Sequence, residues 1–318
     1  MLVAAAGCAS HSHPTATGVS GPAPSTATVV RTPKPRRPAR RNVPVPRPPR
    51  LEPLVTSPPA GDGRWRAADR WAGAPTPVFT ATLRFGADPA ETAYYAWLRA
   101  GRTRLALYPG IVGPGVTTLP RGPLEVPPSA RGRLLATFNS GFYEKDVAAG
   151  FFTNGFLYFP LLRGLATVVA YRDGRVGIVR WSGGPRPGHD IVMARQNLPP
   201  LVWDGRPGPT VDTSFRWGLT LHGVPAVWRS ALGIDRSGNL IYLAAPDQTA
   251  PTLARLLIHA GAVRGLELDI NPEWPIFVTY GGRFAADPAP AVQNPNQIPN
   301  RFLYPSTKDF FAVYLAGG

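Results

Sequence analysis

The stretch Arg264-Gly-Leu-Glu-Leu-Asp-Ile-Asn-Pro-Glu273 sets two carboxylates, Glu267 and Asp269, two residues apart in an otherwise apolar run. In a strand, alternate side chains share a face, so Leu266, Leu268 and Ile270 turn one way and Glu267, Asp269 and Asn271 the other. At about 3.3 Å rise per residue the two acids stand roughly 6–7 Å apart. That separation suits a general acid and base, because like charge and partial burial drive the two pKa values apart. The same spacing also fits a solvent-facing strand whose acids pair with surface arginines. Asn271 and Glu273 follow as polar contacts, and Trp274 as a sugar-stacking platform or as rim packing.

Two further stretches carry polar groups at strand positions. Phe138-Asn139-Ser140-Gly141-Phe142-Tyr143 runs an apolar strand into a turn, where backbone at Gly141 and the amide of Asn139 can face a ligand. Val227-Trp228-Arg229-Ser230-Ala231-Leu232-Gly233 holds a lone arginine within an apolar strand, and such a charge needs a partner. Arg229 serves either as counter-ion to Glu267 or Asp269 or as a fork for a phosphate or carboxylate. No Ser-His-Asp or cysteine nucleophile is indicated, since His189, His222 and His259 fall in a loop, at a strand end and on a helix with no nucleophile motif beside them.

In order and surroundings these three stretches resemble the phosphodiester glycosidase family. Its members carry an Asn-Gly-Gly-Phe-Phe motif, an Arg-Thr-Ala-Ile-Gly strand, then a helix and a Leu-Asp-Gly-Gly-Gly-Ser turn. Asn139, Gly141 and Phe142 match the first, Arg229, Ala231 and Gly233 the second, and Leu268-Asp269 the start of the third. The similarity spans residues 130–290. It implies hydrolysis of a glycosyl phosphodiester, with Asn139, Arg229 and Asp269 at the site, and the alternative is an inactive carbohydrate or teichoic-acid binding protein of the same fold. No cofactor is established, although a divalent cation could assist. After Asp269 the chain departs from the family, with Ile270-Asn271-Pro272-Glu273-Trp274 in place of a glycine-rich turn. Proline removes a backbone donor that would approach a phosphate, and isoleucine is bulky there.

The elements that must position these residues read mostly as strands. Asp173-Gly174 marks a hairpin between 167–172 and 175–181. Strands are also expected at 104–107, 134–138, 217–222, 226–234, 240–244, 263–270, 276–280 and 310–315. Thr249 caps a helix with Leu253, Leu256, Leu257 and Ala260 at helical spacing and Gly261 at its end. Asp88-Pro89-Ala90-Glu91 has the form of a capping box and predicts a second helix running to Gly101. The expected class is α+β, a single domain with a mixed, largely antiparallel β-sheet core and a few helices.

The chain has 318 residues, a net charge of +15 and a single Cys, so no internal disulfide framework or Cys-cluster metal site exists. Residues 1–70 hold +8 of that charge, and the run Arg31–Arg50 interleaves arginine with proline rather than with base-stacking aromatics. This argues against nucleic acid as a partner and for a semi-rigid spacer among anionic cell-wall polymers. Met1–Cys8 (MLVAAAGC) resembles the end of a bacterial lipoprotein signal, with Cys8 as lipidation point. The expected organisation is a truncated signal-like segment at 1–8, a disordered tether at 9–62 and a hydrolase domain at 63–318. The expected location is the extracellular face of the membrane, which the protein touches only through a lipid anchor, with a glycan or glycosyl phosphate as its substrate.

Overall fold

The computed structural model describes residues 47–68, 77–115, 117–220 and 223–317. The signal-like segment, Cys8 and the tether up to residue 46 lie outside them. Residues 45–318 form one compact unit, so the expected boundary at 63 falls too late. Leu51 is buried in the core, the Asp62 carboxylate accepts from the Arg84 amide at 2.9 Å, and His259 Nε2 lies 2.8 Å from the Glu52 carbonyl. Residues 51–63 are therefore part of the packed structure.

The described strands form three sheets. The largest has eight strands in the order Arg66–Ala67, Val78–Arg84, Thr92–Leu98, Leu240–Gln248, Val227–Ile234, Arg264–Ile270, Val202–Trp203, Arg206–Pro207. A five-stranded sheet follows the order Asp287–Pro290, Phe277–Gly281, Leu134–Asn139, Phe310–Leu315, Thr103–Tyr108. The other five-stranded sheet is Phe156–Phe159, Phe151–Thr153, Ile191–Gln196, Ala166–Tyr171, Val176–Arg180. Every pairing among the described strands is antiparallel, so the expected mixed sheet is instead antiparallel throughout. The class is α+β with β structure dominant. No helix among the described residues is long and apolar enough to cross a membrane.

The central core lies where the three sheets meet, joining Leu232, Tyr242, Leu266 and Leu268 to Phe138, Phe277 and Phe311 and to Phe151, Val168 and Met193. The other face of the large sheet is covered by the one α-helix among the described residues, Ala250–His259, which opens on a Thr249/Thr252 capping box and ends before Gly261 at φ +93°. Two glycines let it approach. A Cβ at Gly265 would stand 2.6 Å from Leu257 Cδ2, and one at Gly233 2.7 Å from Ala262 Cβ.

The second expected helix is a strand, Thr92–Leu98. The capping-box groups do bond to each other, with Asp88 N donating to Glu91 Oε2 at 2.9 Å and Ala90 N to Asp88 Oδ1 at 2.8 Å. They close the turn between Val78–Arg84 and Thr92–Leu98 instead. The run Thr-Ala-Tyr-Tyr-Ala-Trp-Leu is rich in β-formers, and pairing with strands on both sides satisfies its backbone. The expected strand at 217–222 is absent through its described residues 217–220.

Leu257 is fully buried against both sheet glycines. Leu257→Ala should lose about 2–5 kcal/mol of unfolding free energy in denaturant titration. A loss below about 1 kcal/mol would show that the helix–sheet seam contributes little.

Candidate active site

The carboxylate strand and its neighbour Val227–Ile234 are joined through a bulge. Ala231 faces Glu267 while Arg229 faces Ile270, which leaves one extra residue on the carboxylate strand between them. A bulge interrupts alternation and re-aims side chains. Leu266 and Leu268 stay in the central core, but Ile270 packs with Phe142 and Trp217 in the cluster on the helix side. The expected common face of Leu266, Leu268 and Ile270 is thus broken, and the two acids have different partners.

Glu267 lies behind the bulge, fully buried. Its Oε1 accepts from Arg229 Nη1 at 2.7 Å. Arg229 also donates to the carbonyls of Gln248 (2.7 Å), Trp217 (2.6 Å) and Pro225 (3.0 Å). Four of its five N–H groups are thereby engaged within the protein. Of the two roles open to Arg229 in the sequence, the counter-ion is the one realised. Burial pushes the Glu267 carboxyl up to about 7, against the pull of Arg229 and with a further push from Asp269.

Asn139, at the end of its strand, is also buried and saturated. Its Oδ1 accepts from Tyr242 Oη at 2.8 Å and Ile276 N at 3.1 Å, and its Nδ2 donates to Ser230 Oγ at 2.9 Å and Ser140 O at 3.2 Å. Ser230 Oγ donates in turn to Asp269 O at 2.7 Å, and Asp269 N to Ser140 O at 2.9 Å. Asn139 therefore fixes the Asp269 backbone through Ser230, where the sequence suggested an amide facing a ligand. At Gly141 a Cβ would lie 3.1 Å from Asn197 Cγ, so glycine lets the loop rest on that side chain. Asn197 in turn donates to the Glu267 carbonyl at 2.6 Å.

Asp269 points the other way, toward Lys308, whose Nζ stands 2.5 Å from Asp269 Oδ2. The same ammonium lies 4.0 Å from the Tyr143 ring centroid and 4.7 Å from that of Trp274. The two rings meet edge to face with centroids 6.1 Å apart. Burial drives the Asp269 carboxyl up to about 7; Lys308 and Arg195 pull it down, and Asp309 adds to the rise. Tyr143 is pushed up to about 12, first by burial and then by Asp269 and Asp309, so its phenol keeps its proton at neutral pH. These groups line a cleft of about 350 Å³, together with Phe142, Asp146, Val147, Phe215, Arg216, Gly218, Leu219, Ile270 and Asn271.

A second buried charge cluster holds the loop that carries Tyr143. Arg195 donates to Asp309 Oδ2 at 2.9 Å, Phe142 O at 2.6 Å and Gln196 O at 2.7 Å, with Glu144 Oε1 at 3.6 Å. Burial raises the Glu144 carboxyl, opposed by Arg195 and reinforced by Asp309.

Of the residues singled out in the sequence, Asp269, Asn271 and Trp274 line the cleft, whereas Glu267, Asn139, Gly141 and Arg229 lie behind its floor. Asn271 adopts φ +71° and donates to the Leu219 carbonyl at 3.3 Å. The side chain of Glu273 is exposed, and only its carbonyl is engaged, by Arg301 Nη1 at 3.0 Å and Gln297 Nε2 at 2.7 Å. Sequence reasoning missed Lys308, Tyr143, Arg195, Glu144 and Asp309. Two signals pointed to them. Arg195 is a lone arginine in an apolar strand, as Arg229 is, and Lys308 is one of only three lysines beside 31 arginines. Among the described residues no group of three or more His, Cys, Asp or Glu side chains is arranged to hold a metal ion.

No family model matches the chain, and no curated protein matches it in sequence. Solved structures align with this chain at low identity. The catalytic domain of zebrafish N-acetylglucosamine-1-phosphodiester alpha-N-acetylglucosaminidase, auto-inhibited by its pro-peptide, aligns over 80% of this chain and 88% of its own at 15% identity and a TM-score of 0.49. A hypothetical protein from Synechocystis aligns over 77% of this chain and 65% of its own at 12% identity and TM-score 0.42. A Burkholderia pseudomallei protein assigned as exported aligns over 77% and 76% at 12% identity and TM-score 0.34.

Replacing Arg229 by Met leaves Glu267 buried without its counter-ion, which should cost about 3–5 kcal/mol. The sign of the pH effect follows from the raised carboxyl. Without Arg229, folded Glu267 holds its proton further above pH 7, while the unfolded chain releases it near pH 4. Stability then falls as pH rises through that window. Denaturant unfolding should show a larger penalty for Arg229→Met at pH 8 than at pH 5, and Arg229→Met/Glu267→Leu should remove that pH dependence while keeping the loss from the carbonyls of Trp217, Pro225 and Gln248. A penalty independent of pH would mean that Glu267 is not the partner that matters.

Proposed function

We propose that this protein hydrolyses a glycosyl phosphodiester, adding water across the bond between the anomeric carbon and the phosphate oxygen. The observation that carries the reading is Asp269, a buried carboxyl raised to about 7, opening onto a cleft beside the ammonium of Lys308. A carboxyl poised near neutrality is matched to proton transfer at physiological pH. In its ionised form Asp269 takes a proton from the attacking water. The water oxygen bonds to the anomeric carbon, and the carbon–oxygen bond to phosphate breaks with its electron pair going to the departing phosphate monoester. Lys308 supplies the positive charge for that group. Phosphate is already a fair leaving group, so little general-acid assistance is required. Tyr143 and Trp274 offer ring faces and edges for a sugar.

Glu267 and Arg229 act behind the floor, and Asn139 positions Asp269 through Ser230. The motif resemblance supports the same bond class. The setting that fits is the outer face of the cell, with the chain anchored through Cys8 and its arginine–proline segment lying among anionic wall polymers.

The direct test is turnover of a sugar-1-phosphodiester by the full chain. Asp269→Asn should lower kcat by about 10²–10⁴-fold, and Lys308→Met should lower kcat/KM. Because the working form of Asp269 is ionised, kcat/KM should fall as pH drops below about 7. Binding of the substrate by calorimetry without turnover would move the reading to a non-catalytic carbohydrate-binding protein. Full activity in both variants would remove Asp269 and Lys308 from the chemistry.

A further inference from the structure

Large apolar side chains are exposed around the mouth of the cleft. On one lip, Phe215 and Leu219 line it while remaining 55% and 76% exposed. Ile111 and Val112, each 49% exposed, are held to the segment that leads into Lys308 by Ile111 N donating to Ser306 O at 2.8 Å and Val112 N to Thr307 O at 2.9 Å. Ile298, 64% exposed, accepts through its carbonyl from the amide of Arg301, whose guanidinium lies 5.0 Å from the Trp274 ring centroid. Single exposed apolar residues are ordinary, but Phe215 and Leu219 together in the wall of a cleft that also holds a buried cation mark a binding surface. Lys308 and Arg216 line the same cleft, and Lys145 Nζ lies 5.5 Å from the centroid of the lining Tyr143 ring. Asp146 also lines the cleft, and Arg216 is paired with Asp212 at 2.7 Å.

We infer that the cleft takes an amphiphile, a phosphate ester of a long alkyl or isoprenoid chain, with the phosphate against Lys308 and the chain lying over Phe215 and Leu219. This rests on the hydrolase reading only for turnover and names its aglycone as a lipid; the binding itself stands apart from it. Charge and shape both favour this occupant. A phosphate matches the ammonium at the floor, and an apolar tail matches a rim that a free sugar phosphate would leave in water. Each methylene taken out of water should tighten binding by about fourfold.

Calorimetry on the full chain with dodecyl phosphate below its micelle concentration and with ethyl phosphate tests this. The dodecyl ester should bind at least about tenfold more tightly. Phe215→Ser/Leu219→Ser should bring the ratio close to one without weakening ethyl phosphate, and Lys308→Met should weaken both. Leu54→Ser, an exposed apolar residue beside the helix at another cavity, should change nothing. Equal affinity for the two esters, or a preference that survives in the rim variant or is lost equally in Leu54→Ser, would overturn the inference. Turnover of ethyl and dodecyl esters of a sugar-1-phosphate separates the two readings. Turnover of both with no chain preference in KM sinks the lipid reading alone. Preferential binding of the dodecyl ester with no turnover of either sinks the hydrolase reading and keeps the lipid-phosphate site.

Discussion

A single guanidinium decides the shape of one side of the cleft. Arg229 gathers the carbonyls of Trp217 and Pro225, which lie outside the sheets, and that of Gln248 at the end of its strand. Leaving such groups buried and unpaired costs about 1–3 kcal/mol each. A buried positive charge is itself untenable without a counter-ion, and Glu267 supplies it from the adjacent strand. The ion pair therefore lets the backbone at Trp217 and at Pro225 lie against the sheet. The bulge belongs to the same arrangement: it lets Glu267 point back to Arg229 while Asp269, two residues on, opens forward to Lys308.

The forward pair obeys different rules. Lysine presents a compact point charge, whereas arginine is a planar fork that seeks several acceptors at once. Arg229 and Arg195 sit where carbonyls converge. Lys308 sits between two rings and one carboxylate, where only a point charge is called for. In a chain that otherwise uses arginine almost everywhere, that choice gives Asp269 a compact counter-ion at 2.5 Å between two rings. The aromatic faces keep water away from it and so hold the Asp269 carboxyl far above its ordinary range.

Much of this was legible in the sequence where local chemistry and tertiary packing agree. The hairpin at Asp173-Gly174, the capped helix at Thr249 and the strands bearing Asn139, Arg229 and Asp269 all form as their residues suggest. The buried partner demanded by a lone strand arginine proved to be Glu267. What failed depended on long-range context. The Asp88–Glu91 pattern closes its hydrogen bonds equally well over a turn, and aromatic residues with strands on both sides outweighed the helix it announced. Period-two alternation placed Glu267 and Asp269 together, but a bulge is set by the neighbouring strand and leaves no local mark. Lys308 lies 39 positions after Asp269, so only the fold could show that the two meet.

The departure after Asp269 can be understood on the same terms. A glycine-rich turn offers two things at once: backbone that reaches positive φ and amides that can approach an anion. Here Asn271 takes the left-handed conformation at φ +71°, which asparagine tolerates better than most residues. Its amide is used internally, donating to the Trp228 carbonyl at 2.8 Å, and Asn294 donates to the carbonyl of Pro272 at 2.7 Å. Ile270 fills the space beside Phe142 that a glycine would leave open. The turn thus keeps the bend and gives up its anion-binding amides. The positive charge beside Asp269 in this cleft comes from a side chain, that of Lys308. Beside that ammonium Ile270 packs with Phe142, so apolar contact holds the bend where a glycine-rich turn would leave backbone open to water.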